Sequence, residues 1–295
     1  MKTVSLLNVE QVGQIMNNKL DNHSESILVI GGGRMGGAIV NGWIKMGIKP
    51  QTISIIDPNE AALVPFKSQG INTFTNIDAM PANQSYSCIL VALKPQVFDV
   101  VLPLYQPLLT QETLVISIAA GVTHSTIEQL LFNGQPVIRV MPNTPALINS
   151  GVMVGCSNNC VSSSQKTFCE SLFSNLGSFD WVDDEHAMHA VTAVSGSGPA
   201  YLFHFVECMF QAAKDAGLTN DLALILTKNT VVGAAKLVEQ DDRDVSKLRE
   251  EVTSPNGTTA AALGVLMQDG ALERLLSDAI GSAAKRSVEL SLNDN

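Results

Sequence analysis

From Ile27 onward the chain alternates two kinds of apolar pattern. Short, mostly β-branched runs stand at 27–30 (ILVI), 53–56 (ISII), 88–92 (CILVA), 114–118 (LVISI) and 137–140 (VIRV), and the segments between them carry apolar residues at helical spacing. A run that is apolar at every position has no wet face to alternate toward. It therefore reads as a strand of a parallel sheet covered by helices on both sides. Runs at 151–155 and 178–182 extend that sheet, with a helix over about 163–175 between them. After Val182 the strand pattern stops, and stretches beginning at His186, Pro199, Thr219, Thr258 and Ala271 read as helices. Gly217 and Gly270 stand where glycine closes a helix. The predicted fold is α/β: a Rossmann-type doubly wound parallel sheet over 27–184, then an all-helical domain over 185–295. Residues 1–26 form an N-terminal extension in which Val9, Val12, Ile15 and Met16 predict one short amphipathic helix.

Composition narrows this picture. With 295 residues, 45% of them hydrophobic and only 16% charged, the chain has enough apolar material for a sizeable aliphatic core, which argues against disorder. A net charge of −10 gives phosphate backbones little to hold, so nucleic acid is excluded as an expected partner. The N-terminus lacks the sustained apolar core and small-residue cleavage pattern of a signal peptide. No uninterrupted apolar stretch approaches the ~20 residues of a membrane span. Cys88, Cys156, Cys160, Cys169 and Cys208 form no CxxC pair, so they read as reduced and mostly packed rather than as a disulfide or metal framework. The expected compartment is the cytosol. Small-residue faces such as VVGAAK (231–236) and AIGSAAK (279–285) permit close helix approach, and a helical domain built this way is expected to complete its core against a second copy.

The first chemical signal lies at the end of the first strand. In ILVIGGGRMGGAIV, Gly31, Gly33 and Gly36 have G-x-G-x-x-G spacing between a strand and a helix, where backbone amides and the helix dipole can receive a pyrophosphate. Asp57 ends the next strand, about 20 residues beyond Gly36, where a ribose-binding acid belongs. Such an acid would repel a 2′-phosphate and favour NADH, whereas Arg34 could hold either the pyrophosphate or that 2′-phosphate. The rival reading of Asp57 is a cap for a helix starting near Pro58. Two further strand ends face the same crevice in a doubly wound sheet: Lys94 with Pro95, and the small-residue segment Ala119, Ala120, Gly121.

A second signal is REEVTSPNGTTAAAL (249–263), a turn crowded with hydroxyl and amide side chains directly before an alanine-rich helix, which Thr258 or Thr259 could cap. IRVMPNTPALINSGVMV (138–154), VTAVSGSGPAYLF (191–203) and EVTSPNGTTAAAL (251–263) together resemble the pyrroline-5-carboxylate reductase family over about 27–290. The resemblance implies reduction of a cyclic imino acid by NADPH or NADH in a homodimer or larger homo-oligomer. It implies that Thr259 lies near the imine nitrogen and that Ser254, Asn256, Gly257 and Thr258 shape the carboxylate site, with Asp242 and Glu251 also on the substrate side. On the coenzyme side it implies Gly31, Gly33, Arg34, Met35, Gly36, Asp57, Lys94, Pro95, Ala119, Ala120, Gly121 and Asn143. The family usually has Asn and Ala where this chain has Arg34 and Gly36, Gly where Asn256 stands, and often Asp at His189. No histidine reads as catalytic and no metal is expected: His186 and His189 sit about a helical turn apart with no third ligand evident, and His204 lies on an apolar helix as a core or interface residue. Three alternatives stand beside this reading. A hydroxyacid dehydrogenase would want a lysine just inside the first long helix, and SGSGPAYLFHFVE (195–207) has none. The others are a reductase of a different cyclic imino acid and a nucleotide-binding sensor without turnover.

Overall fold

The computed structural model describes residues 26–81 and 84–292, so the helix predicted within the N-terminal extension lies outside the described residues. Eight strands form one sheet: β1 (Ile27–Ile30), β2 (Ile53–Ile56), β3 (Asn72–Phe74), β4 (Cys88–Val91), β5 (Leu114–Ser117), β6 (Val137–Met141), β7 (Gly151–Ser157) and β8 (Gly177–Trp181). Their order is β3-β2-β1-β4-β5-β6-β7-β8, with the reversal of winding between β1 and β4. β1 is in step with both neighbours, Ile30 pairing with Ile56 on one side and Val91 on the other, so these strands end at one level. That edge is where a doubly wound sheet binds its ligand.

Two features depart from the sequence pattern. β3 has no apolar run; it pairs only with β2, as an edge strand with a wet side. β7 runs antiparallel to β6, while β8 runs parallel to β7. The cause is the short link over 142–150, a single 3-10 turn closed by Asn149 in the left-handed region (φ 60°). A parallel return would need a crossover of about a dozen residues or more.

Helices α1 (Arg34–Lys45), α2 (Glu60–Ser68), α3 (Phe98–Val101), α4 (His124–Leu130) and α5 (Ser163–Phe173) flank this sheet. One face is packed around Val29, Ile39, Trp43, Ile55 and Phe173, the other around Leu28, Ile89, Phe98 and Val115. Trp43 Nε1 donates to the carbonyl of Leu172 (2.7 Å), which satisfies the one polar atom of a wholly buried ring. α6 (Ala187–Val191) continues into a π-helical turn over Thr192–Gly196.

The chain divides into two compact units, one ending at Gly196 and taking back Ala284 onward, the other spanning Ser197–Ala283. The second unit holds α7 (Gly198–Asp215), α8 (Asn220–Gln240), α9 (Val245–Glu251), α10 (Thr258–Leu266) and most of α11 (Ala271–Leu292). Within it only Ala223 and Thr227 are buried among the described residues, whereas Phe203 is 62% and Leu275 67% exposed. Faces of that kind are more apolar than a lone soluble subunit sustains. Among the described residues no helix is long and apolar enough to cross a membrane. The five cysteines are free; Cys88, Cys156 and Cys169 are buried, but Cys160 and Cys208 are exposed rather than packed.

Candidate active site

At the end of β1 each glycine of the loop has its own physical reason. Gly31 adopts φ +104°, and a Cβ there would lie 2.6 Å from the carbonyl oxygen of Ala92. Gly33 begins α1 with open space around its Cβ position, which lets a ligand approach the backbone. A Cβ on Gly36 would strike the carbonyl of Gly31. Glycine in place of the family's usual alanine thus lets the first turn of α1 close tightly on the loop. The first amide to bond within the helix is that of Gly37, to Gly33 (2.8 Å), so the amides of Arg34, Met35 and Gly36 have no helical acceptor. Open space at Gly33 and three outward amides at the positive end of a helix fit a dinucleotide pyrophosphate.

Around the loop, the sheet edge gathers the other expected coenzyme residues. Lys94, exposed, and Pro95 follow β4; Ala119, Ala120 and Gly121 follow β5, with Gly121 at φ +82°. Asn143 lies just past β6 but its side chain is engaged: Oδ1 accepts from the Val152 amide (2.9 Å) and Nδ2 donates to Ser195 Oγ (3.2 Å). It fixes the link between β6 and β7 against the π-helical turn. Asp57 accepts from the amides of Gly32 (Oδ2, 2.8 Å) and Asn59 (Oδ1, 2.8 Å). It does not cap α2, which starts at Glu60 and is capped by Asn59. Arg34 is exposed and lines a cleft of about 710 Å³ between α1, α2 and the turn after β6.

The second unit holds the expected substrate residues on either side of α9 and at the start of α10. After α9 the chain turns through Asn256, which is left-handed (φ 59°). That conformation accounts for a side chain at a position usually glycine, since asparagine is among the residues that tolerate it. A Cβ on Gly257 would meet Ser254 Oγ and lie 3.1 Å from the Ser254 carbonyl oxygen, so a side chain there would displace the serine hydroxyl. Gly257 caps α10 with no side-chain bond, so Thr258 and Thr259 are first-turn residues rather than caps. The first helical bond is Ala261 N–H to Gly257 (3.1 Å), which leaves the amides of Thr258, Thr259 and Ala260 without helical acceptors. Thr259 is half-buried; Ser254, Asn256 and Thr258 are exposed.

Glu251 is tied down. Arg243 reaches its Oε1 (2.5 Å) and Oε2 (3.3 Å) and also grips Asp241 (2.7 Å), holding the Asp241 carboxyl down to about 2. Asp242, beside this clamp, is exposed. The clamp ties both ends of α9 together just before the hydroxyl-rich turn, and sequence reasoning missed it because nothing in DDRD marks which acid the arginine takes. His204 is exposed in the single subunit and paired with Glu207 (3.1 Å), which removes the core half of its expected core-or-interface role. His189 is half-buried, with Nδ1 at 2.9 Å from Ser287 Oγ.

A buried charge cluster was missed too, although an arginine inside the apolar run VIRV was its signal. Arg139 on β6 meets Glu185 Oε1 (2.5 Å), which also accepts from the His124 amide (2.7 Å); His124 Nε2 lies 3.1 Å from the Cys156 carbonyl. Since a carbonyl can only accept, Nε2 carries the proton in the neutral ring. Burial, outweighing Glu185, holds the His124 pKa below its ordinary 6.5. For Glu185 burial opposes ionisation, but the His124 amide and the Arg139 guanidinium outweigh it and hold the carboxyl below its ordinary 4.5. Both folded-state values are depressed. Each group therefore adds stability above its unfolded value that is lost as pH falls through the folded one. Thermal melts should show stability declining below pH 6.5, more gently in His124→Gln, and again below 4.5. Glu185→Gln should cost about 3 kcal/mol near neutral pH by leaving the buried guanidinium without its counter-charge. Parallel pH profiles for wild type and both variants would refute this assignment.

Comparison with known proteins agrees with this arrangement. The family model described as pyrroline-5-carboxylate reductase dimerisation matches residues 185–290, and that described as NADP oxidoreductase coenzyme F420-dependent matches 26–121. The chain is 38% identical over 270 residues to a pyrroline-5-carboxylate reductase of Pasteurella multocida, covering 90% of this chain and 98% of that one. It is similar to the solved structure of a pyrroline-5-carboxylate reductase from Coxiella burnetii, with 36% identity, a TM-score of 0.84 and coverage of 91% and 99%. It is also similar to a Plasmodium falciparum pyrroline carboxylate reductase with NADP bound, with 28% identity, a TM-score of 0.78 and coverage of 90% and 98%.

Proposed function

The chain belongs to the pyrroline-5-carboxylate reductase family, and from that premise we propose that the uncapped start of α10 is its imino-acid site. The reaction is the reduction of L-1-pyrroline-5-carboxylate to L-proline with NADPH or NADH, the last step of proline biosynthesis. The observation that carries the site is the set of amides at Thr258, Thr259 and Ala260, which lack helical acceptors and follow a turn rich in hydroxyl side chains. A carboxylate placed there gains about 0.3–2 kcal/mol from the helix dipole alone.

When bound, the coenzyme supplies the hydride at its nicotinamide ring. The residues Ser254, Asn256, Gly257 and Thr258 hold the substrate carboxylate, and the Thr259 hydroxyl bonds to the ring nitrogen. A cyclic imine is readily protonated near neutral pH, so no strong side-chain acid is needed. The protein's task is to hold and orient the reacting carbons. The Arg243 clamp, by fixing Glu251 and Asp241, positions the loop; Asp242 stands at its rim.

Residues 27–184 serve as the dinucleotide-binding domain and 185–295 as the substrate-binding and dimerisation domain. The chain assembles as a homo-oligomer, at least a dimer, whose helices cover the exposed faces of α7 and α11. The five free cysteines support a cytosolic location, and the net charge of −10 supports no nucleic-acid partner.

Purified protein mixed with NADH or NADPH and pyrroline-5-carboxylate should consume the reduced-nicotinamide absorbance, and should do so faster than with a six-membered cyclic imino acid. Coenzyme binding without turnover would replace this reading with a nucleotide sensor. An active monodisperse monomer would contradict the assembly.

A further inference from the structure

The turn after β2 carries an inference that rests on the reductase reading and concerns which coenzyme it uses. In a doubly wound sheet an acid at this strand end meets the adenosine ribose, and NADPH differs from NADH only by a phosphate on that ribose. Binding that phosphate requires positive charge or unengaged donors beside the second strand. Here the turn Pro58–Ala62 carries no basic side chain, and three of its four amides are engaged. Pro58 has no N–H. The Asn59 amide donates to Asp57 Oδ1 (2.8 Å), the Ala61 amide to Asn59 Oδ1 (3.1 Å), and the Ala62 amide to the Asn59 carbonyl (3.0 Å). Two first-turn amides of α2 are thus spent on Asn59, and Glu60 adds a negative charge in that turn.

Asp57 itself is fixed. The Gly32 and Asn59 amides take one position on each oxygen, which leaves two of the carboxylate's roughly four acceptor positions for a ribose diol. Its charge is felt locally: after burial, it is the second cause pushing the Tyr105 phenol up to about 12. The basic side chain at the loop, Arg34, lies at the start of α1 beside the phosphate loop and lines the cleft that α1 shares with α2.

We infer that this chain takes NADH in preference to NADPH, because Asp57 and the turn Pro58–Ala62 present a fixed carboxylate, a second acid at Glu60 and no basic side chain to the adenosine ribose. The preference belongs to this turn rather than to the family, since the Plasmodium relative was solved with NADP bound.

Isothermal titration calorimetry of the full chain with NADH, NADPH, ADP-ribose and its 2′-phosphorylated form tests this without turnover. Wild type should bind the forms lacking the 2′-phosphate at least about tenfold more tightly, a difference of about 1.4 kcal/mol. Asp57→Ser should shrink that ratio about tenfold or more by weakening NADH and strengthening NADPH. Asp57→Asn, which keeps the shape and one acceptor, is the second variant should serine loosen the loop, and melting curves report folding for both. Arg34→Ala should weaken all four ligands alike. Equal or tighter binding of NADPH by wild type, or loss of NADPH alone in Arg34→Ala, overturns the inference. A folded wild type that binds none of the four overturns the reductase reading itself.

Discussion

Replacing Thr259 with alanine should lower kcat/KM for pyrroline-5-carboxylate by about ten- to a thousandfold, the range for losing one preorganised donor at a reacting atom. Thr259 is half-buried in the first turn of α10, and the turn before it is held by the bond from the Gly257 amide to the Ser254 carbonyl (3.0 Å). That turn is closed by backbone groups rather than by the Thr259 hydroxyl, so removing the hydroxyl should leave the melting curve near wild type. Most of the loss should fall on kcat, with a smaller rise in KM, because the amides that receive the carboxylate are backbone groups and survive the change. Thr259→Ser should restore most of the rate. Kinetics unchanged in a folded Thr259→Ala would remove this hydroxyl from the reaction.

Gly31→Val should weaken binding of either reduced nicotinamide coenzyme by about a hundredfold, if overpacking costs the ~3 kcal/mol at the top of its usual range. Two independent effects act together. The position has φ +104°, which a β-branched residue adopts only under strain, and its Cβ would lie 2.6 Å from the Ala92 carbonyl oxygen. The loop must move away from the end of β4, and the outward amides of α1 lose their alignment. Calorimetry on the folded variant reads the result directly. Wild-type affinity would show that the tight turn at Gly31 is not needed to receive the coenzyme.

Much of the sheet was legible because its central strands are apolar at nearly every position, as strands buried on both faces tend to be. β3 was not, because an edge strand of three residues, Asn72–Phe74, is specified by its partner β2 rather than by its own apolarity. The reversal at β7 was equally hidden. It follows from the length of one link and a left-handed Asn149, and both are matters of geometry rather than of composition. The glycine loop and the hydroxyl-rich turn were visible as spacing, since close approach leaves glycine as the residue that fits. What pairs with what was not visible. Arg139 and Glu185 are far apart in sequence, and Arg243 had several acids within reach along the chain, so only folded coordinates decide their partners.

The return of α11 to the sheet-bearing unit has a consequence for how the protein is made. Leu290 sits 3.4 Å from the Cβ position of Gly121, and Ser287 meets His189, so the finishing side chains of this unit are translated only after the whole of the second unit. On a ribosome the nascent sheet must wait, with the floor beside Gly121 uncovered, until Ser287 and Leu290 have emerged.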